Sequence, residues 1–242
     1  MCYIFCLQTR LFGMLTQHTL NPVTLMVPST TDFLILGAPG SGKTTQGRLL
    51  AANLRSDHMF IDMSRVCKVA GKFLPGFGNA FAEYSGKGEL VPDELILPNF
   101  RTYMETVDPG VHIVGSGLFR NPNQVHWVYD HVPFFRDGGS PLSVIRIKLS
   151  PDDAVRRCRK RAELARAAGL TPRATDLDDA LNRGRVKTYD DFVEPVIEAL
   201  CRRHPDIRLL EAPSQDDPHD TFSGILSAVG AKPEDCYLRL VA

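Results

Sequence analysis

Five short apolar runs recur along the chain, each separated from the next by a longer stretch of mixed polarity. They are Phe33–Leu36, His58–Ile61, Val111–Val114, Ser143–Leu149 and Ile207–Leu210. Hydrophobicity within each is continuous rather than alternating, the pattern of a strand covered on both faces. The stretches between them carry helix signals. Gln46–Leu54 reads as a helix, and Pro92 stands at a helix start with Asp93 and Glu94 in the first turn. Pro151-Asp152-Asp153 opens another, ahead of a very basic stretch. Alternation of this kind predicts an α/β fold, a three-layer α/β/α domain with a five-stranded parallel sheet. Residues 62–91, rich in glycine and aromatics, predict a small helical insertion over the sheet edge. The aromatics of the run Lys72-Phe73-Leu74-Pro75-Gly76-Phe77-Gly78 read as local core within it. The chain holds no internal repeat and no low-complexity segment.

Between the first strand and the first helix lies Gly37-Ala38-Pro39-Gly40-Ser41-Gly42-Lys43-Thr44, followed by Thr45. It matches the phosphate-binding loop G-x-x-x-x-G-K-[ST] in the strand–loop–helix context that the motif requires. A chance match in a chain this long has a frequency on the order of one in a hundred. The glycines let backbone amides converge on an anion, and the helix start adds the positive end of its dipole. Lys43 can reach the outer phosphates of a nucleotide, and the Thr44 hydroxyl can help hold Mg²⁺.

Composition narrows the setting. The chain has 242 residues, with 28 Lys+Arg against 28 Asp+Glu and 43% hydrophobic residues. Zero net charge speaks against a general nucleic-acid or membrane-surface binder. No apolar run approaches membrane-spanning length. The six cysteines, at 2, 6, 67, 158, 201 and 236, form no CxxC pair and no metal-ligand spacing, so they read as reduced thiols. Residues 1–31 read as an extension before the fold. It has no acid before Asp32, many threonines and one arginine, Arg10, a partial match to a mitochondrial presequence. Cys2 and Cys6 carry only a weak acylation pattern. The preferred reading is a disordered extension, or a start placed ahead of Met26, on a cytoplasmic protein; a presequence would make it mitochondrial. Residues 230–242 read as a C-terminal tail.

Further blocks point to one family. The phosphate loop followed by Gln46 resembles the opening of adenylate kinase and related nucleoside monophosphate kinases. Gly88-Glu89-Leu90-Val91-Pro92-Asp93-Glu94-Leu95 resembles the segment that ends their monophosphate-binding insertion. Gly117-Leu118-Phe119-Arg120-Asn121-Pro122-Asn123-Gln124 is similar to their G-F-P-R-x-x-x-Q block. Pro151 through Arg161 resembles the start of their mobile lid, with Arg157 and Arg161 four apart on one helix face. Arg185-Val186-Lys187-Thr188-Tyr189 and Glu194-Pro195-Val196-Ile197 resemble the helix after it. The blocks follow the family's order from residue 33 to about 229. The resemblance implies a kinase domain over 32–229, with a monophosphate-binding insertion at 62–91 and a short lid at 158–174.

It also implies reversible phosphoryl transfer from Mg²⁺-ATP to a nucleoside monophosphate, AMP by preference, in a monomer. Lys43 and the loop from Gly37 to Thr45 would hold the donor phosphates, with Arg157 over the donor base. Arg120 would hold the acceptor phosphate and Gln124 read the adenine, with Lys68, Leu90, Val91 and Gly117 around it. Arg161, Arg185 and Arg173 would converge on the phosphates, Arg173 one residue out of family register. The donor adenine would rest partly on the loop Ala212–Pro218. Phosphoryl transfer suits such a set, because it needs in-line placement, exclusion of water and positive charge rather than covalent help. Arginine's planar fork can grip two phosphate oxygens at once.

Four departures stand out. The family's Asp before G-F-P-R, which organises Mg²⁺ through water, is Ser116. Thr44, usually Gly in adenylate kinases, offers a hydroxyl against that loss, and Asp62 at a predicted strand end is a weaker candidate. The acceptor-site arginine is Lys68, which keeps the charge and loses the fork. The threonine near the AMP base is Met63, where pyrimidine kinases favour alanine. The lid lacks the four metal ligands of long-lid relatives, so no zinc is expected. A UMP/CMP or broad-specificity kinase, and a degenerate family member that binds nucleotide with little turnover, stand as alternatives.

Overall fold

The computed structural model describes residues 30–54, 58–136 and 140–230. Expectations for most of the N-terminal extension, including Cys2, Cys6, Arg10 and Met26, and for residues 231–242 of the tail lie outside them. Five parallel strands form one sheet in the order β2-β3-β1-β4-β5. They are β1 Asp32–Gly37, β2 His58–Asp62, β3 His112–Ser116, β4 Leu142–Lys148 and β5 Arg208–Pro213. All five lie where the apolar runs predict them, with ends shifted by at most three residues.

Helices cover both faces. In chain order these are α1 Lys43–Asn53, α2 Met63–Phe73, α3 Pro75–Lys87, α4 Asp93–Met104, α5 Pro122–His131, α6 Pro133–Arg136, α7 Pro151–Ala167, α8 Asp179–Arg203 and α9 Pro218–Val229. A 3₁₀ turn, Ala174–Leu177, joins α7 to α8. Alternate strand residues explain the two layers. Phe33 and Ile35 of β1 pack with Leu49 and Leu50 of α1 and Phe222, Ile225 and Leu226 of α9. Leu34 and Leu36, pointing the other way, pack into the larger core built on α2, α4, α5 and α8. Every residue of β1 is buried, which is why its sequence shows no alternation. Among the described residues no helix is long and apolar enough to cross a membrane.

One packing expectation is corrected. Phe77 is buried, but Phe73 is 64% exposed, so only one of the two aromatics in the 72–78 run joins the core. Glycines make the contact instead. A Cβ on Gly78 would stand 2.6 Å from the Gly71 carbonyl oxygen, so α2 and α3 cross where neither carries a side chain. Phe73 closes α2 at that corner, beside an exposed Leu74.

The topology fixes where a ligand can bind. Strand order reverses about β1, with β3 on one side and β4 on the other. In open parallel sheets such a switch point leaves a crevice beyond the strands' C-terminal ends. The phosphate loop leaves β1 there.

Candidate active site

β1 ends at Gly37, and the chain turns through residues 38–42 into α1. Gly40 and Gly42 take φ of 82° and 84°, a left-handed backbone that other residues adopt only with strain. Space is short as well: a Cβ on Gly40 would come within 2.8 Å of the Ala154 carbonyl oxygen of α7. Gly42 stands at the N-cap of α1 and supplies no side-chain acceptor to its first turn. Free amides and the helix dipole together are the features that an anion site requires. Lys43 Nζ donates to the Ala38 carbonyl at 2.7 Å, folded back over the loop. Ser41 is buried, and its Oγ has no partner among the described residues. Thr45 is exposed on the helix face.

Cations gather around this loop. Burial first, then the charges of Arg120, Arg185 and Arg161, hold the Lys43 ammonium well below the usual lysine range. Arg120, which follows the end of β3, is lowered by its surroundings and then by Arg185. Arg185 on α8 is lowered by burial, against the pull of Cys158 and Asp176, with Arg161 and Arg173 adding repulsion. Four cations from α1, the β3–α5 loop, α7 and α8 thus share one cleft. Lys43, Arg120 and Arg185 are each disfavoured by a neighbouring cation, a repulsion that an entering anion relieves.

A carboxylate not singled out in the sequence holds two of them. Asp176, in the 3₁₀ turn, is 1% exposed. It accepts from Arg161 Nε at 2.7 Å and Nη2 at 2.6 Å. Arg185 Nη1 lies 3.6 Å away and donates to Thr175 at 3.1 Å. Burial opposes the Arg161 charge, but the bonds to Asp176 outweigh it and raise its pKa. Nothing in the local sequence separates Asp176 from Asp178 or Asp179. Only the turn that buries it does.

Next to the cations opens a cavity of about 410 Å³. Lys68, Leu90, Val91, Gly117, Arg120 and Gln124 all line it, and so do Met63, Arg173 and Arg185. Its size suits a small-molecule ligand. Gln124 is 2% exposed and firmly held. Its Nε2 donates to Asp93 Oδ1 at 2.8 Å, and its Oε1 accepts the Arg120 amide at 2.8 Å. Asp93 also takes the Asn121 side chain, whose Oδ1 caps α5. One amide hydrogen and one lone pair of Gln124 stay free of these bonds. Sequence reads Asp93 only as a first-turn acid; its second role depends on α4 lying beside α5.

On the other side of the loop, Arg157 turns to the β5–α9 connection, where it donates to the Ser214 hydroxyl and carbonyl and to Asp216. Ser214 Oγ in turn donates to the Ser41 carbonyl at 3.1 Å, tying that connection to the phosphate loop. Arg157 and Arg161 share a helix but serve different partners.

Among the described residues, no group of three His, Cys, Asp or Glu side chains is placed to hold a metal ion by itself. Hard oxygen donors do meet at the loop, where the Thr44 hydroxyl donates to Asp62 Oδ2 at 3.0 Å. That set fits Mg²⁺, which takes few protein ligands and completes its shell with water and nucleotide phosphates.

No protein-family model matches the chain. Individual proteins do. It is 28% identical over 204 residues to adenylate kinase of Deinococcus radiodurans, covering 81% of this chain and 95% of that protein. It is 26% identical over 220 residues to adenylate kinase of Chlamydia caviae, covering 82% and 97%. It is 30% identical over 168 residues to adenylate kinase of Jannaschia sp., covering 69% and 83%. A phosphate loop at the switch point of a parallel sheet, ringed by arginines, defines a phosphotransferase of the nucleoside monophosphate kinase class. With the sequence relatives, the chain belongs to the adenylate kinase family.

Proposed function

We propose that the protein transfers the γ-phosphoryl group of Mg²⁺-ATP reversibly to AMP, giving two ADP. One observation carries this reading. Lys43 is repelled by Arg120, Arg185 and Arg161 in a cleft between the phosphate loop and the 410 Å³ cavity, and of these arginines only Arg161 has its charge favoured overall, by Asp176. A charge-rich group bridging the two compartments relieves that repulsion, and the transferring phosphoryl is such a group.

The residues divide the work by position. The amides of Gly37–Thr45 and Lys43 take the donor phosphates, and Arg157 with the Ser214–Asp217 connection flanks the donor base. Arg120 takes the acceptor phosphate, and Lys68 at the cavity wall adds a point charge. Gln124 offers its free N–H and lone pair to a base edge with one acceptor and one amine, the pattern of adenine that cytosine shares and guanine and uracil lack. Leu90, Val91 and Gly117 border that base. Arg161, Arg185 and Arg173 close on the phosphates, and α2 and α3 form the acceptor-side cover over 62–91. The lid spans 158–174, from the second half of α7 to the 3₁₀ turn. Mg²⁺, when bound with the donor, neutralises charge on its phosphate oxygens, and Thr44 is the loop residue toward it. The protein is proposed to act as a monomer, as the family resemblance implies.

The test is to incubate the purified protein with Mg²⁺-ATP and each of AMP, dAMP, GMP, UMP and CMP, and to follow nucleoside diphosphate formation. The expected order puts AMP first. Faster turnover of UMP or CMP would assign a pyrimidine or broad acceptor, for which the buried Met63 in the cavity wall is the relevant departure. Tight ATP binding with no turnover of any acceptor would sink the kinase reading.

A further inference from the structure

The last residue of the phosphate loop is tied to a carboxylate on another strand. Thr44 Oγ1 donates to Asp62 Oδ2 at 3.0 Å, from the first turn of α1 to the end of β2. The other oxygen, Oδ1, accepts the Ser64 amide at 2.9 Å and caps α2. Asp62 pairs in register with Ser116 of β3, and Ser116 with Ile35 of β1, so the carboxylate stands two strands out from the strand that feeds the loop.

A hydroxyl has one proton and two lone pairs. With its proton committed to Asp62, Thr44 presents lone pairs alone to whatever else approaches it. In P-loop proteins that hydroxyl serves as a lone-pair donor to the nucleotide's Mg²⁺, with an Asp from a strand end as its companion. A carboxylate accepting the proton fixes the hydroxyl's rotation and makes its oxygen a better donor, as outer-shell carboxylates do at other metal sites.

We propose that Asp62 is the positioning residue for the divalent cation that enters with the donor nucleotide, acting through Thr44. This rests on the reading of Gly37–Thr45 as the donor-phosphate site. Capping of α2 alone does not account for Asp62, because a cap needs one oxygen and Asn caps as well as Asp. The second oxygen is where the two residues differ: Asn there presents an amide donor, turns the Thr44 hydroxyl round and consumes a lone pair.

Titration calorimetry of ATP with excess Mg²⁺ and with EDTA tests this in the full chain, its Asp62→Asn and Thr44→Ala variants and the double variant. The measured quantity is the tightening of ATP binding that Mg²⁺ brings. Asp62→Asn is expected to cut that tightening about tenfold while leaving the affinity in EDTA and the melting temperature at wild-type values. In the Thr44→Ala background the same change is expected to do nothing further. Wild-type Mg²⁺ tightening in Asp62→Asn overturns the proposal. So does an equal loss with and without Mg²⁺, or effects that add in the double variant. A wild-type protein that binds ATP equally with and without Mg²⁺ overturns this inference alone. One that binds no ATP overturns the reading of the loop as well.

Discussion

Asp176 grips Arg161 with both carboxylate oxygens, at 2.7 and 2.6 Å, from a position that is only 1% exposed. The pair joins α7 to the turn before α8, and Arg185 lies on the same carboxylate. Two arginines proposed to meet phosphate are therefore held by a protein anion in its place.

Replacing Asp176 by Asn removes that anion and leaves neighbouring guanidinium groups unpaired. Breaking a buried pair from one side costs about 3–5 kcal/mol, and the partial exposure of Arg161 puts the expected loss toward the lower end. Chemical denaturation measures it. Because nucleotide phosphates can replace the carboxylate, saturating ATP is expected to stabilise Asp176→Asn more than wild type. Equal stabilisation of the two would show that these arginines do not face the nucleotide.

Lys43 predicts a proton signature. Its folded pKa lies well below the ordinary 10.5, from burial and then from Arg120, Arg185 and Arg161. In the window between the depressed value and 10.5, the unfolded chain binds more protons than the folded one. The contribution of Lys43 to stability is therefore unfavourable below the depressed value and relieved as pH rises through it. Donor phosphates restore the ammonium, so ATP binding in that window is expected to take up a proton. Calorimetry in buffers of different ionisation enthalpy counts it, and Lys43→Met should abolish both the uptake and phosphoryl transfer.

Gln124 is expected to set acceptor choice. Changing it to Ala removes the tie to Asp93 and the acceptor for the Arg120 amide, together with the free N–H and lone pair. A site built to hydrogen-bond its substrate loses discrimination when that group goes. The expected result is a fall of about ten- to a hundredfold in kcat/KM for AMP, with UMP little affected. A uniform fall for both acceptors would assign Gln124 to holding Arg120 in place.

Ser116→Asp puts a second carboxylate opposite Asp62 on the paired strand. Without metal, like charges facing each other across β2 and β3 should lower the melting temperature. With Mg²⁺-ATP the added charge should lower the Mg²⁺ concentration for half-maximal turnover. An unchanged Mg²⁺ requirement would mean that Ser116 lies outside the influence of the ion.

Much of the site was legible because its parts are local. Gly40 and Gly42 announce a left-handed loop wherever they occur between a strand and a helix, and Lys43 follows them directly. Arg120 and Gln124 belong to one contiguous block. Asp176, Asp93 and Thr44–Asp62 were not legible in the same way. Each acts on a residue 15 to 31 positions away. In the 72–78 run the local reading succeeds for Phe77, which joins the core, and fails for Phe73, which stays exposed at the corner where Gly71 and Gly78 bring α2 and α3 together.

By itself the sequence determined the strands, the helix starts at Pro92 and Pro151, the loop and its lysine, because these depend on hydrophobic period, caps and glycine freedom within a few residues. Tertiary structure alone decided which carboxylate balances which arginine, that Gln124 is locked on two sides, and that Asp62 lies beside Thr44. Those depend on strand order and helix crossing, which bring distant residues within 3 Å of one another and remove water from between them. Electrostatic strength in such a place follows burial and distance, and neither is written in the order of the residues.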